Sequence, residues 1–271
     1  MLVAALVGVA VLTAGASAAG PATEGAIVFE RRTSTGVADL WSVDPDGSDL
    51  RRLTRTRNNF DPDVSPDGRF VVFASSRTHG TDATELFVMR VDGTGVRRLT
   101  RNAHSRRAFT IDFDPAWSWD GETIVFSRTF VRGGRNSTDL FAVPAKGGPQ
   151  RRLTYTAGRE ISPTFSAPVL ELGFVRDGFV WRRVGTGQIR TFAGTDPDWT
   201  QSHQFPVWSR DARIYRSTLG GAEQLLGAGT DPVWSPDGRQ VAWVTPRGLV
   251  VDGKPITRAT NAVRHLSPSW G

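Results

Sequence analysis

The chain has 271 residues, enough for one large domain with a substantial core. It contains no cysteine, which excludes disulfides, thiol catalysis, Cys-ligated zinc and a lipid on an N-terminal cysteine. The formal charge of +6 is carried almost wholly by arginine, since only Lys146 and Lys254 are lysine; the arginines recur with a repeat and form no single run, so solvated strand faces are expected and nucleic acid is not.

In chain order, Met1 to Leu12 are apolar apart from Gly8, and Ala16-Ser17-Ala18 supplies the small residues of a cleavage site. This predicts an export signal over residues 1–19. An uncleaved membrane anchor is the rival reading, because the apolar run approaches the minimum spanning length. Past Gly20 no stretch is apolar enough to span a bilayer.

From Ala26 the chain repeats itself. Ala26–Glu30, Asp39–Val43 and Leu50–Thr54 read as second, third and fourth strands of a unit without a first. The phrase Asp61-Pro-Asp-Val-Ser-Pro-Asp-Gly68 then opens a full unit and returns as Asp114-Pro-Ala-Trp-Ser-Trp-Asp-Gly121, Asp231-Pro-Val-Trp-Ser-Pro-Asp-Gly238 and the truncated Ser267-Pro-Ser-Trp-Gly271. A second phrase, two arginines before Leu-Thr, closes units at Leu53-Thr54, Leu99-Thr100 and Leu153-Thr154. Between the phrases lie a Ser-Pro-Asp-Gly turn, an apolar run such as Phe70–Ala74, a third strand such as Glu85–Arg90 and an Asp-Gly turn. Four antiparallel strands without a helix make one propeller blade, and a period of about 35 to 50 residues makes an array of them.

Further blades follow over Asp114–Thr154, Ser162–Phe192, Asp196–Leu226 and Asp231–Thr260. Asp196-Pro-Asp-Trp199 and Phe205-Pro-Val-Trp208 compete for a first strand. Even spacing of about 35 residues between Ser162, Asp196, Asp231 and Ser267 favours Asp196. The terminal Ser267-Pro-Ser-Trp270 supplies the first strand missing at the other end, so the two termini complete one blade and hide the open edges. The prediction is an all-β, six-bladed propeller of four-stranded antiparallel blades over 26–271.

These phrases resemble the WD40-like (PD40) repeat of the TolB-like propeller family. The resemblance rests on the Asp61–Ser75 stretch, Glu85-Leu-Phe-Val-Met-Arg-Val-Asp-Gly93 and Arg97-Arg-Leu-Thr100, and spans about the whole of Ala26 to Gly271. It implies the fold strongly and the function weakly. In the family an α/β domain precedes the propeller, and related propellers precede a serine-hydrolase domain. Neither is expected here, so the family's partnership with a peptidoglycan-associated lipoprotein is not carried over.

The residues themselves point to little chemistry. No Gly-x-Ser-x-Gly elbow or Ser-x-x-Lys pair is present. Gly93/Gly95 and Gly185/Gly187 read as hairpin turns, not a phosphate loop. His79, His104, His203 and His265 stand in no local metal spacing, and the Asp-Gly turns fit hairpins better than calcium loops. No cofactor or metal is expected. Of the nine tryptophans, Trp117, Trp199, Trp234 and Trp270 follow the repeat and read as core between blades; Trp119 replaces the repeat's proline and reads as exposed near a turn.

What remains is the ring of connections from fourth strands to the next first strand. It holds Arg57, Asn58, Asn59, His104, Arg106, Arg107, Arg159, Glu160, Arg264 and His265. Loops on a rigid scaffold are where function concentrates. The expectation is an exported, monomeric, non-enzymatic module that binds an envelope protein or peptide at this rim. Two alternatives stand beside it. One is a polysaccharide lyase or hydrolase using metal or paired carboxylates drawn from His104, Glu160, His203 and His265. The other is a scaffold adhering to anionic envelope polymers through its basic surface.

Overall fold

The computed structural model describes residues 25–271 except 57, 79, 81–82, 103, 106–107, 157, 167–170, 185–186, 200–204, 219–220 and 261–262. The expected leader, residues 1–19, lies outside them. Among the described residues there are strands and turns but no α-helix, and so no helix long and apolar enough to cross a membrane.

Six four-stranded antiparallel sheets are arranged as blades. Blade 1 is made by both termini: Val263–Trp270 is its first strand and pairs with Ile27–Thr33, followed by Ala38–Val43 and Arg51–Arg52. Blade 2 runs from Asn59–Val64 to Arg97–Arg98, and blade 3 from Ala108–Trp117 to Arg151–Arg152. Blade 4 spans Glu160–Ser166 to Gly187–Ala193, blade 5 Thr195–Asp198 to Glu223–Ala228, and blade 6 Thr230–Trp234 to Lys254–Pro255. The spacing argument chose correctly in blade 5. Asp196 lies in the first strand, and Trp208 in the second, Val207–Arg210, where it is fully buried.

The core is divided among the blade interfaces. Val72, Leu86 and Val88 of blade 2 meet Trp117, Phe126 and Phe141 of blade 3. Equivalent clusters join blades 6 and 1, 1 and 2, 3 and 4, and 5 and 6. The smallest, Val175, Val180 and Trp199 with Ile161 and Phe192, joins blades 4 and 5. Trp117, Trp199, Trp234 and Trp270 are all buried, as repeat-locked aromatics should be.

Both sequence phrases acquire physical meanings. In Arg-Arg-Leu-Thr the strand proper is only the two arginines. The first arginine is exposed, whereas the second bonds an acid on the third strand: Arg52 to Asp39, Arg98 to Glu85 and Arg152 to Asp139. These arginines are therefore ion-paired, not merely solvated. The leucine packs inward, and the threonine hydroxyl accepts the N–H of Leu40, Leu86 or Leu140 at 2.9–3.0 Å. In the Ser-Pro-Asp-Gly turn, Ser65 Oγ donates to Asp67 Oδ1 at 2.6 Å and accepts the Phe70 N–H at 2.9 Å, closing the hairpin from within.

Candidate functional site: the channel and its loop rim

Each first strand runs along the channel wall and carries a kink where its Asp-Pro or Ser-Pro stands. Asp61, Asp114, Ser162, Asp196, Asp231 and Ser267 all have φ of 45–51°. The pairing register shifts at the same point, between Phe60 and Asp63 or Phe113 and Ala116, for example. These are β-bulges with the residue before proline in the left-handed region, which Asp tolerates better than most side chains. Proline disfavours helical backbone in its predecessor, so each kink costs on the order of 1–3 kcal/mol and persists because the closed ring imposes it. The repeat thus places a short polar side chain on the channel wall in every blade.

The result is an acidic channel. Asp61, Asp63, Asp114, Asp196, Asp198 and Asp231 line a cavity of about 170 Å³, with no basic side chain among the lining residues. Burial pushes Asp63 up to about 6, against the opposing bond from the Trp117 N–H. Burial also pushes Asp198 up to about 7, helped by the charge of Asp63, and Asp231 up to about 6, helped by Asp196. Asp114 rises well above the usual carboxylate range through burial and the neighbouring Asp61.

Several carboxylates also stitch one blade to the next. Asp63 Oδ2 accepts the Trp117 N–H at 2.7 Å and its Oδ1 the Ser269 hydroxyl at 2.9 Å. Asp198 Oδ2 accepts the Trp234 N–H at 2.8 Å, and Asp114 Oδ2 the Ser162 N–H at 3.1 Å.

Above the channel, three successive junctions hold a buried polar latch. At the junction of blades 1 and 2, Asn59 donates to Thr54 Oγ1 at 3.0 Å and accepts from Arg77 at 2.6 Å. Between blades 2 and 3, Asp112 is fully buried and accepts from Thr100 at 2.8 Å, Asn102 at 2.7 Å and Arg128 at 2.6 and 2.8 Å. Between blades 3 and 4, Glu160 accepts from Thr154, Thr156 and Arg176. The equivalent positions leading into blades 5 and 6 are Gly194 and Gly229, each packed against a tryptophan, Trp208 and Trp243. Three of the six junctions are thus latched by polar networks and two by indole packing.

No family model matches the chain. It is 29% identical over 170 residues to a protein TolB homolog of Chlorobium luteolum, covering 60% of this chain and 35% of that one. It is 37% identical over 83 residues to the Tol-Pal system protein TolB of Anaeromyxobacter dehalogenans, covering 31% of this chain and 17% of that one. The crystal structure of TolB from Acinetobacter baumannii superposes with a TM-score of 0.72 at 17% identity, over 91% of this chain and 66% of that one. The chain is a six-bladed β-propeller similar to that of TolB proteins. It spans about a third of the length of the first of these curated relatives. At this identity the solved structures speak for the fold alone, and a solved oligogalacturonate lyase shares it as well.

The propeller distributes the expected rim residues unevenly. Arg159 is exposed on a connecting loop, and Arg264 is exposed at the start of the closing strand, facing Arg32 across the strand pair. His104 is exposed with its ring 5.8 Å from that of Phe109. Asn58 is half-buried, and its carbonyl accepts the Ser76 N–H. Asn59 and Glu160 are fully buried inside the latches. His265 pairs with Arg31 in the closing strands. Arg57, Arg106 and Arg107, with His79 and His203, lie outside the described residues. The channel aspartates were missed as site residues, although their signal was present: Asp before Pro at one fixed strand position in four blades.

Proposed function

We propose that this TolB-like propeller is an exported, non-enzymatic scaffold that binds a protein or peptide of the cell envelope through the loops at one mouth of its channel. The observation that carries the reading is a rigid mouth with two opposed charge zones. The latches at three successive junctions hold the connecting loops against the blades, so His104 and Arg159 are presented from fixed backbone, while Arg264 is presented from the closing strand. Immediately inside stands the ring of channel aspartates. Arginines on a pre-organised rim suit carboxylates of a partner, and the acidic interior repels any anionic segment that enters further. A partner segment with acidic residues beside neutral or basic ones matches both zones. The named Tol-Pal relative supports a protein partner for the fold.

Glu160 does not favour the lyase or hydrolase alternative, because its carboxylate is fully buried and committed to Thr154, Thr156 and Arg176. The test is capture from envelope extract at physiological salt, comparing the wild type with the triple variant Arg106→Ala/Arg107→Ala/Arg159→Ala. A discrete protein retained by the wild type and lost by the variant supports rim recognition. Anionic polymer retained equally by both and released by salt removes that support and favours the adhesive scaffold.

A further inference from the structure

On the face opposite the rim, where the Ser-Pro-Asp-Gly turns lie, a cavity of about 470 Å³ opens between blades 2 and 3. That is within the range of small-molecule pockets, about 300–1,000 Å³. Its aromatic wall is Phe70, Trp117 and Trp119, and its polar corners are Asp67, Asp120, Arg97 and Lys146.

The two carboxylates are fixed in the same way. Asp67 Oδ1 accepts from Ser65 Oγ at 2.6 Å and the Arg69 N–H at 3.1 Å. Asp120 Oδ1 accepts from Ser118 Oγ at 2.5 Å and the Glu122 N–H at 3.0 Å. The turn thereby uses one oxygen of each acid and leaves Oδ2 without a protein donor among the described residues. Across from them, Arg97 is steadied by the Ala145 carbonyl, and Lys146 is exposed. Two acids face two bases, so the cavity has no net charge to select an ion. It offers fixed acceptors and donors at the edge of an aromatic wall.

Trp119 is the residue that departs from the repeat. The sister turns carry Pro66 and Pro236 at this position. Proline suits that position by presetting φ. The Trp119 backbone N–H makes no bond among the described residues, so proline would break no hydrogen bond seen there. The indole N–H is buried without an acceptor among the described residues, which costs stability. Part of the ring packs on the cluster around Ala116 and Phe165, and the rest lines this cavity and the adjoining channel exit.

We propose that this cavity binds a neutral saccharide unit. Trp119 is its stacking platform, Asp67 and Asp120 Oδ2 accept its hydroxyls, and Arg97 and Lys146 donate to it. A neutral polyol both donates and accepts, and so uses all four corners at once, whereas an anion or a cation would meet a like charge at two of them. The site lies on the face away from the rim and does not depend on the partner reading.

The test is calorimetric titration of the whole chain with three probes: cellotriose, chitotriose and trigalacturonate. The expected result is saturable binding of the neutral trisaccharides in the millimolar range. Binding falls at least about tenfold in Trp119→Pro, the variant that restores the repeat, and severalfold in Lys146→Ala. If the proline variant fails to fold, Trp119→Leu keeps apolar packing without the aromatic face and is expected to show the same loss. The proposal is overturned if the wild type gives no saturable heat with either neutral probe. It is equally overturned if the folded Trp119 variant binds as the wild type does, or if trigalacturonate binds more tightly than the neutral probes.

Discussion

Replacing Thr100 with valine removes one hydroxyl and leaves the shape almost unchanged, which isolates the latch between blades 2 and 3. That hydroxyl accepts the Leu86 N–H at 2.9 Å and donates to Asp112 Oδ2 at 2.8 Å, and Thr100, Leu86 and Asp112 are all fully buried. The variant strands a buried amide, at about 1–3 kcal/mol, and withdraws a bond to a charged acceptor, about 1.5–3 kcal/mol. Valine returns less than about 1 kcal/mol through its extra methyl group. The net expectation is a loss of about 2–5 kcal/mol, read as a shift of the urea midpoint at constant slope. Thr100→Ser keeps the oxygen and should lose much less. Thr94→Val, on an exposed turn where the hydroxyl bonds only its neighbour Asp92, should stay within about 0.5 kcal/mol. If Thr100→Val also stays within about 0.5 kcal/mol, the buried latch does not hold the blades together and the rigid-mouth argument loses its foundation.

Other outcomes follow from the same geometry. Asp63, Asp198 and Asp231 are raised to about 6, 7 and 6; the folded state therefore binds more protons than the unfolded one. Their contribution is fully present below the ordinary carboxylate range and lost as pH rises through 6 to 7. The melting temperature should be higher at pH 5 than at pH 8, with the difference reduced in Asp198→Asn; a pH-independent difference between the two proteins would contradict the assignment. A methyl group at Gly194 would meet Trp208 Cδ1 at 2.5 Å and the Ser209 carbonyl at 3.0 Å, so Gly194→Ala should destabilise by about 1–3 kcal/mol in thermal unfolding. Hydrogen exchange should open first at the junction of blades 4 and 5, whose apolar cluster is the smallest. Uniform protection around the ring would argue against that ranking.

The architecture was legible because its signals are local and repeated. Turn chemistry, strand alternation and the position of Ser267-Pro-Ser-Trp270 each pointed to the same closed ring. The site was less legible, because the decisive facts are relations between blades. Asn59 and Glu160 read as polar rim residues, yet each closes a hydrogen-bond network with a threonine from the preceding blade and an arginine from its own. The second arginine of each pair looked solvated because its acidic partner lies 13 residues earlier, on the neighbouring strand. The Asp-Pro kinks could be recognised as a repeat, but only closure of the ring turns them toward one axis.

Blade 1 joins Ile27–Thr33 to Val263–Trp270, and that pairing fixes when the molecule can become whole. Roughly 230 residues separate the two strands, so bringing them together carries a closure entropy of about 5 kcal/mol before any contact repays it. Until residues 263–270 arrive, blade 1 has no inner strand and Asp63 lacks the Ser269 hydroxyl. The ring therefore stays open until that strand pairs, however much of the rest has folded. Such a lock makes ring closure a late event in folding, set by the arrival of one strand and not by the stability of the other five blades. The same lock makes residues 263–270 a poor place for a deletion, however short the loss looks on paper.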